Sequence, residues 1–181
     1  MKRQGRRSIR LKRYDYSSAG YYFVTMCSKN KQDIFSDIVV GVDVSVYPGF
    51  AVDEYEIKLT EIGEIVEHYL LEINNYYSNV HLDQYCIMPN HVHAIIVIND
   101  EAKEGGQGRP PLPKIIQGIK SMAARNCYKF GFRTIWQRNY YEHIIRNERS
   151  YEKVSRYIQA NPAKWYAGED RDVPPYEEKE E

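Results

Sequence analysis

The order of the predicted elements indicates an α+β fold of the ferredoxin-like type, βαββαβ, with one antiparallel sheet, helices on one face and an added C-terminal helix. Three observations predict it: an aromatic, β-branched stretch near the start, a pair of apolar stretches joined by a tight turn, and helical periodicity on either side of that pair. The chain has 181 residues, enough for one domain with a substantial core. We expect that domain at 14–166, between a basic arm at 1–13 and an acidic tail at 167–181.

The N-terminal half contains the first strand and the first long helix. The strand is predicted at 21–27, which is rich in tyrosine and β-branched residues. Residues 38–57 contain Val-rich stretches that fit either a hairpin or an irregular loop. Thr60 is suited to cap a helix, because acidic residues follow in the first turn, where the helix dipole favours them. Apolar residues at helical spacing extend this helix to about Tyr76.

The segment 84–98 is predicted to form two strands joined by a turn at Pro89-Asn90. Pro89 has the φ of the first central turn position, and Asn90 tolerates the positive φ that a type II turn needs at the second. His91 and His93 are two residues apart, so both imidazoles lie on one face of the second strand. Imidazole is a common metal ligand and a proton carrier near neutral pH. The alternative is two histidines that only border a core.

The second helix is predicted from Pro113 to about Tyr128, after a Gly-rich loop. Its exposed face carries Lys114, with Lys120 beside it. This face fits either an ordinary solvated surface or a surface that contacts phosphates.

A strand is predicted at 140–146, and Asn147 is suited to cap the last helix. This helix is expected to end near Ala160, because Pro162 disfavours helical geometry at the residue before it. Tyr157 and Asn161 lie one turn apart on this helix. From the residues alone, Tyr157 either completes the core or points into a cleft.

The formal net charge is zero, so bulk charge does not identify a partner. The basic arm, which includes Arg3, Arg6 and Arg7, fits either a phosphate-binding arm or a solubilising tail. No long apolar run occurs, and no apolar segment follows the basic start. We therefore expect no membrane span and no secretory signal, and a cytoplasmic location.

Three blocks together resemble the IS200-like single-tyrosine transposases of the HUH endonuclease superfamily, and most closely the REP-associated tyrosine transposases. The blocks are Met88-Pro89-Asn90-His91-Val92-His93, the stretch from Trp136-Gln137 to Arg146, and Tyr157-Ile158-Gln159-Ala160-Asn161-Pro162. The resemblance covers about residues 10–165. It implies a metal-dependent endonuclease and strand transferase that acts on single-stranded DNA through a 5′-phosphotyrosyl intermediate.

By that resemblance, Tyr157 is the catalytic nucleophile, and His91, His93 and Asn161 are the metal ligands. Asn161 is a departure, since many members carry Gln there. The resemblance further implies Mg²⁺ or Mn²⁺ as cofactor, single-stranded DNA with an adjacent hairpin as partner, a homodimer as one allowed assembly, and a nucleoid-associated, prokaryotic setting. Independently of the resemblance, the charge pattern gives the cations of the arm and the second helix as candidate DNA contacts, namely Arg3, Arg6, Arg7, Lys114 and Lys120.

Three other functions fit parts of the pattern. A non-catalytic, ferredoxin-like nucleic-acid-binding protein needs neither the histidine pair nor Tyr157. A metal-dependent hydrolase would use the histidines with water as the nucleophile. A domesticated relative that processes chromosomal hairpin repeats would share the transposase chemistry.

Overall fold

The computed structural model describes Leu11 and residues 14–41, 54–100 and 109–169. The described elements, in chain order, are β1 Gly20–Cys27, β2 Ser36–Gly41, β3 Glu54–Leu59, α1 Glu61–Leu71, α2 Ile73–Tyr76, β4 Val80–Ile87, β5 His91–Ile98, α3 Leu112–Cys127, β6 Tyr141–Ile145 and α4 Glu148–Tyr166.

Four strands form the main antiparallel sheet, in the order β4-β5-β1-β6. This is the strand order of a ferredoxin-like sheet, so the predicted fold class is confirmed. The two central strands, β5 and β1, pair with Thr25 opposite His93 and Cys27 opposite His91. The strand that carries the histidines is therefore hydrogen-bonded to a neighbouring strand on both sides. Thr25 and Cys27 of β1 are the register partners of His93 and His91.

The sheet is covered on both faces, and each face has its own apolar cluster. Residues of α1 and α3 pack with Val24, Val92 and Ile96 on one face. Residues of α4 pack with Phe23 and Ile95 on the other. The side chains at odd and even positions of β5 thus pack in different apolar clusters, because successive side chains of a strand point to opposite faces of the sheet. The histidines, at odd positions, face α4.

The segment expected to be a hairpin or a loop contains a hairpin. The strands β2 and β3 pair antiparallel, with Ile38 opposite Ile57, and both residues pack against the cluster that includes α4. This hairpin is separate from the main sheet. It therefore supports the helix that carries Tyr157 without extending the sheet.

Both predicted helix caps are present. The Thr60 hydroxyl accepts a hydrogen bond from the Gly63 N–H at 3.1 Å, and Asn147 Oδ1 accepts one from the Ser150 N–H at 2.8 Å. These bonds satisfy N–H groups that the first turn of a helix leaves without an intrahelical partner. The cap at Asn147 sets the start of α4 directly after β6.

The turn before β5 differs from the prediction. Within the described residues, the only non-glycine residues with positive φ are Asn30 and Lys31, so Asn90 does not adopt the type II geometry. Tertiary hydrogen bonds hold the turn instead. The Pro89 carbonyl accepts from the N–H groups of Ile34 and Phe35, both at 2.9 Å.

Two element boundaries also differ. The strand β4 begins at Val80, four residues before the predicted start, and a bulge interrupts its pairing between Leu82 and Gln84. The prediction that the last helix ends near Ala160 is wrong, because α4 continues through Pro162 to Tyr166. Proline removes one helical hydrogen bond, and packing of the final turn offsets that loss: Trp165 joins the apolar cluster of α4.

Several predictions concern residues outside the described ranges. These are the arm with Arg3, Arg6 and Arg7, most of the Gly-rich loop, and the acidic tail beyond residue 169. Among the described helices, none combines the length and the apolar character needed to span a bilayer.

Candidate active site

The imidazoles of His91 and His93 converge. Their Nε2 atoms lie 3.0 Å apart, and their ring centroids are 4.5 Å apart with the planes at 68°. Two nitrogens that bind one ion at about 2.1 Å, with an angle of about 90°, are roughly 3 Å apart. The pair is therefore spaced as two ligands of a single cation would be.

The other nitrogen of each imidazole is anchored. His91 Nδ1 lies 2.9 Å from Asn90 Oδ1, and His93 Nδ1 lies 2.8 Å from Thr25 Oγ1. Phe23 stacks on the ring of His93 with an interplanar angle of 28° and centroids 5.4 Å apart. Such second contacts orient imidazole ligands toward a metal. Here they hold the two Nε2 atoms 3.0 Å apart.

Asn161 lies beside the pair and is fully buried. Its Nδ2 donates to the Tyr157 carbonyl at 3.1 Å, one turn back along α4. Its Oδ1 makes no hydrogen bond of regular geometry with the described residues. The Asn161 side chain nevertheless raises the pKa of His93, because it interacts favourably with the protonated imidazole. Only the oxygen of an amide accepts a hydrogen bond, so Oδ1 is the atom through which the side chain can favour the protonated form of His93.

The environment of His93 keeps its imidazole neutral. Burial lowers the pKa of His93 well below 6.5, the neighbouring His91 lowers it further, and Asn161 opposes both effects more weakly. A neutral imidazole is the form that binds metal.

Tyr157 lies over this group from α4. Its ring centroid is 5.1 Å from that of His93, and it meets Phe23 edge-on at 6.0 Å. The Lys164 ammonium lies 5.5 Å from the centre of the Tyr157 ring. One face of α4 therefore presents the tyrosine and the amide of Asn161 to His93, with the Lys164 ammonium beside the tyrosine ring.

The group is closed to solvent in this conformation. His91, His93 and Asn161 are 0 %, 1 % and 0 % exposed, and Tyr157 is 8 % exposed. The indole of Trp165 packs against His91, with ring centroids 5.9 Å apart. A DNA phosphate reaches these groups only if the end of α4 or its side chains move.

Two imidazole nitrogens and an amide oxygen form a donor set that suits a divalent cation. The buried Asn161 Oδ1, which has no hydrogen bond of regular geometry with the described residues, and the spacing of the Nε2 atoms both fit such an ion. Among the residues that the structure describes, no group of three or more His, Cys, Asp or Glu side chains could hold a metal. The candidate centre therefore depends on an amide as its third ligand.

The structure brings His91, His93, Tyr157 and Asn161 together, and places the two lysines elsewhere. Lys114 and Lys120 belong to α3, whose buried residues pack on the opposite face of the sheet. Lys114 is exposed. The Lys120 ammonium donates to the carbonyls of Gln137 and Asn139, at 2.6 and 3.1 Å. It lines a cleft of about 480 Å³ between α3 and residues 136–140. Phosphate contact by either lysine stays a prediction.

Sequence reasoning missed Thr25 and Lys164 as residues of the site, and it named Trp165 only as an aromatic residue that could stack bases, not as a neighbour of His91. The strand prediction for 21–27 includes Thr25, but only the pairing of β1 with β5 places it opposite His93. Trp165 and Lys164 follow Pro162, where the helix was expected to have ended. The spacing between Tyr157 and Lys164 places both on one face of a helix, and this pattern could have predicted that the lysine lies near the site.

Comparison with known proteins identifies a relative by sequence and a solved structure with a similar fold. No model of a known protein family matches the chain. An uncharacterised protein of Haemophilus influenzae (strain ATCC 51907 / DSM 11121 / KW20 / Rd) is 36% identical over 180 residues, covering 88% of this chain and 89% of that protein. A solved structure of a REP-associated tyrosine transposase bound to a REP hairpin superposes with a TM-score of 0.59 at 20% identity, covering 92% of this chain and 81% of that one.

The identity and coverage of the first match indicate common descent, and the second match shows a shared fold. The chain therefore belongs to the same family as the Haemophilus influenzae protein, and its fold is that of the REP-associated tyrosine transposases.

Proposed function

We propose that this protein is a metal-dependent, single-tyrosine HUH transposase that nicks and joins single-stranded DNA. The observation that carries the proposal is the position of Tyr157, whose ring lies 5.1 Å from that of His93 while the Nε2 atoms of His91 and His93 converge at 3.0 Å. A phenol next to a candidate cation centre is the arrangement that nucleophilic attack on a phosphodiester requires.

The proposed ligands are His91 Nε2, His93 Nε2 and Asn161 Oδ1, and the proposed ion is Mg²⁺ or Mn²⁺. The ion would polarise the scissile phosphate and stabilise charge on the leaving oxygen. Phosphate oxygens and water would complete the ligand set that the amide and the two imidazoles begin. Lys164 supplies a positive charge near the tyrosine, where it would draw the phosphate toward the ring.

In the proposed reaction, the phenolic proton of Tyr157 passes to solvent water and the phenolate oxygen attacks phosphorus. The bond from phosphorus to the 3′ oxygen breaks, and that oxygen takes up a proton to leave a free 3′-hydroxyl. The new 5′-phosphotyrosyl bond conserves the energy of the phosphodiester. The 3′-hydroxyl of a second strand then reverses the step without ATP.

The proposed substrate is single-stranded DNA beside a hairpin. The structural neighbour was solved with a REP hairpin, and the candidate centre lies beneath a helix on one sheet face, where a flexible strand bends more easily than a duplex. Base stacking on aromatic residues near the site would add to binding.

A cleavage and joining assay tests the proposal. Labelled oligonucleotides from the DNA on either side of the gene, each with a predicted hairpin, are incubated with the full chain and Mn²⁺. We expect cleavage that EDTA abolishes, and transfer of the fragment that carries the 5′-phosphate to the 3′-hydroxyl of a second strand without ATP. Binding without cleavage would indicate a non-catalytic DNA-binding protein. Cleavage without joining would indicate a hydrolase that uses water.

The same assay on Tyr157→Phe separates the tyrosine mechanism from a contaminating nuclease. This change removes one oxygen and keeps the ring that packs against Phe23 and His93. We expect a folded protein that binds the oligonucleotide and neither cleaves nor joins it. Wild-type activity in this variant would contradict the proposed role of Tyr157.

A further inference from the structure

The cleft between α3 and residues 136–140 has a volume of about 480 Å³. Sites for organic ligands in proteins commonly have volumes of about 300–1,000 Å³. Part of the lining is apolar and comes from Ile116, Ala124 and Trp136. The polar side chains of the lining are Gln117, Lys120, Ser121, Gln137, Arg138 and Asn139. A wall of this mixed character suits a ligand that has both an apolar surface and polar groups.

The charge of the lining is positive. It includes the cations Lys120 and Arg138, and no acidic residue among those that the structure describes. Lys120 gives two of its three N–H donors to the carbonyls of Gln137 and Asn139, which leaves one donor for a ligand. Burial lowers the pKa of Lys120 to about 8, and a bound anion would oppose that effect. The cleft therefore favours an anionic group, and phosphate is one that Lys and Arg both bind well.

The remaining polar groups of the lining are mainly amides. Gln117, Gln137 and Asn139 are exposed side chains that each donate and accept hydrogen bonds. The edges of nucleobases present donors and acceptors side by side, and amides pair with them. The faces of a base are apolar and stack on apolar and aromatic side chains. A nucleotide combines such a base with a phosphate, so its chemistry matches the whole lining.

The cleft lies at the end of the sheet where His91 is found. The backbone N–H of Gln137 donates to the Cys27 carbonyl at 2.9 Å, and Cys27 is the register partner of His91. The helix α3 packs on the sheet face opposite to α4. The cleft and the candidate active site are therefore on opposite faces at one end of the sheet. A single strand that bends round this end would reach both.

We propose that this cleft binds one unpaired nucleotide, with its phosphate at Lys120 and Arg138 and the edge of its base at the amides. A nucleotide of the DNA substrate and a free nucleotide share this chemistry. The position at the His91 end of the sheet favours the DNA, in a part of the strand next to the cleaved bond. The proposal rests on the proposed function for the source of the nucleotide only.

Two variants change the cleft from exposed positions. Arg138→Gln removes a cation from the lining, and Ser121→Glu adds a carboxylate to it. Each should weaken nucleotide binding by about 10-fold or more, because contacts with a charged group are lost or opposed. Arg125→Gln is the matched control, since it removes one exposed charge from α3 outside the cleft. Lys120 is left unchanged, because its hydrogen bonds also hold residues 137 and 139.

NMR titration of the full chain in EDTA measures the binding without cleavage. The chain has two tryptophans, and Trp136→Phe assigns their indole N–H signals. Each of the four deoxynucleoside 5′-monophosphates is added in turn, and at least one should shift the Trp136 signal and the backbone signals of 136–140. A hairpin oligonucleotide with an unpaired flank should shift the same signals. The same hairpin without the flank should not.

The outcomes separate the cleft from the proposed function. No shift at 136–140 with any nucleotide or oligonucleotide would overturn the proposal, and so would equal affinities in wild type, Arg138→Gln and Ser121→Glu. Shifts with free nucleotides but not with the flanked hairpin would support a nucleotide site and overturn its link to DNA. Shifts in a protein that does not cleave DNA with Mn²⁺ would overturn the proposed function and support the cleft as a nucleotide site.

Discussion

The ring of Tyr157 meets the ring of His93 at 65°, with the two centroids 5.1 Å apart. One residue belongs to the last helix and the other to a central strand, so the contact joins the two parts of the chain that carry the candidate chemistry. Both residues are in one chain.

The first prediction concerns the cation. His91→Ala removes one of two converging Nε2 atoms and should weaken Mn²⁺ binding by more than about 100-fold, beyond the usual effect of a second contact. Affinity for single-stranded DNA should persist, because contacts to phosphates and bases lie mostly outside such a centre. Isothermal titration calorimetry measures both affinities. His81→Ala, in β4, is the control, and equal loss of Mn²⁺ binding in the two variants would contradict the assignment.

The second prediction concerns access. Trp165 packs against His91, which is fully buried, so Trp165→Ala should expose that imidazole. Modification of His91 by diethyl pyrocarbonate should become faster, as followed by mass spectrometry of the His91 peptide. The partly exposed His81 is the internal standard. Tyr166→Ala is the control variant, because Tyr166 is 59 % exposed and packs on Tyr55. An unchanged His91 rate in Trp165→Ala would show that another group closes the site.

The third prediction concerns pH. Burial lowers the pKa of Lys120 from 10.5 to about 8. Between these values, the unfolded chain holds a proton that the folded chain has lost, so the contribution of Lys120 to the free energy of unfolding rises as pH increases from 8 to 10.5. One group adds at most about 1.4 kcal/mol per pH unit.

Urea unfolding of wild type and Lys120→Met across this pH range measures the difference. Wild type should gain stability relative to the variant as pH increases through the range, and Lys114→Met, at an exposed position of the same helix, should follow wild type. Parallel curves for wild type and Lys120→Met would contradict the lowered pKa.

The fourth prediction concerns the approach of α1 to the segment before β2. A Cβ on Gly63 would overlap the Phe35 carbonyl, whereas one on Gly118 would meet the hydroxyl end of the Tyr77 side chain. Backbone cannot move aside as easily as a side chain, so Gly63→Ala should lower the free energy of unfolding by about 1–3 kcal/mol. Gly118→Ala should change it less, because alanine also favours the helix by up to about 1 kcal/mol. Equal changes in the free energy of unfolding for Gly63→Ala and Gly118→Ala, measured by chemical denaturation, would contradict this prediction.

Local signals predicted much of the fold. The alternation along β5 placed His91 and His93 on one face, and the polar residues Thr60 and Asn147 marked the starts of their helices, because these effects involve neighbours in sequence. The position of Tyr157 on the site side of α4 followed from the resemblance, since its helical wheel position alone fits either core or cleft.

The predictions that failed concern positions whose conformation depends on contacts with residues that are distant in sequence. Hydrogen bonds from Ile34 and Phe35 to the Pro89 carbonyl fix the turn, so the preference of Asn90 for positive φ is not used. Packing of Trp165 against the α4 cluster carries the helix past Pro162. The partnership of Thr25 with His93 depends on strand register, which a single sequence does not encode in any local pattern.

The identity of the residue that becomes joined to DNA tests the central claim most directly. Tyr151 is the matched comparison, because it lies on the same helix but donates to Asp83 at 2.7 Å, and this hydrogen bond raises its pKa. The protein is incubated with Mn²⁺ and the intact oligonucleotide that the cleavage assay identifies as its substrate. The protein is then digested, and its peptides are analysed by mass spectrometry. We predict a 5′-phosphate linkage on the Tyr157 peptide, absent in Tyr157→Phe and retained in Tyr151→Phe. A linkage on any other residue, or cleavage with no linkage, would contradict the account.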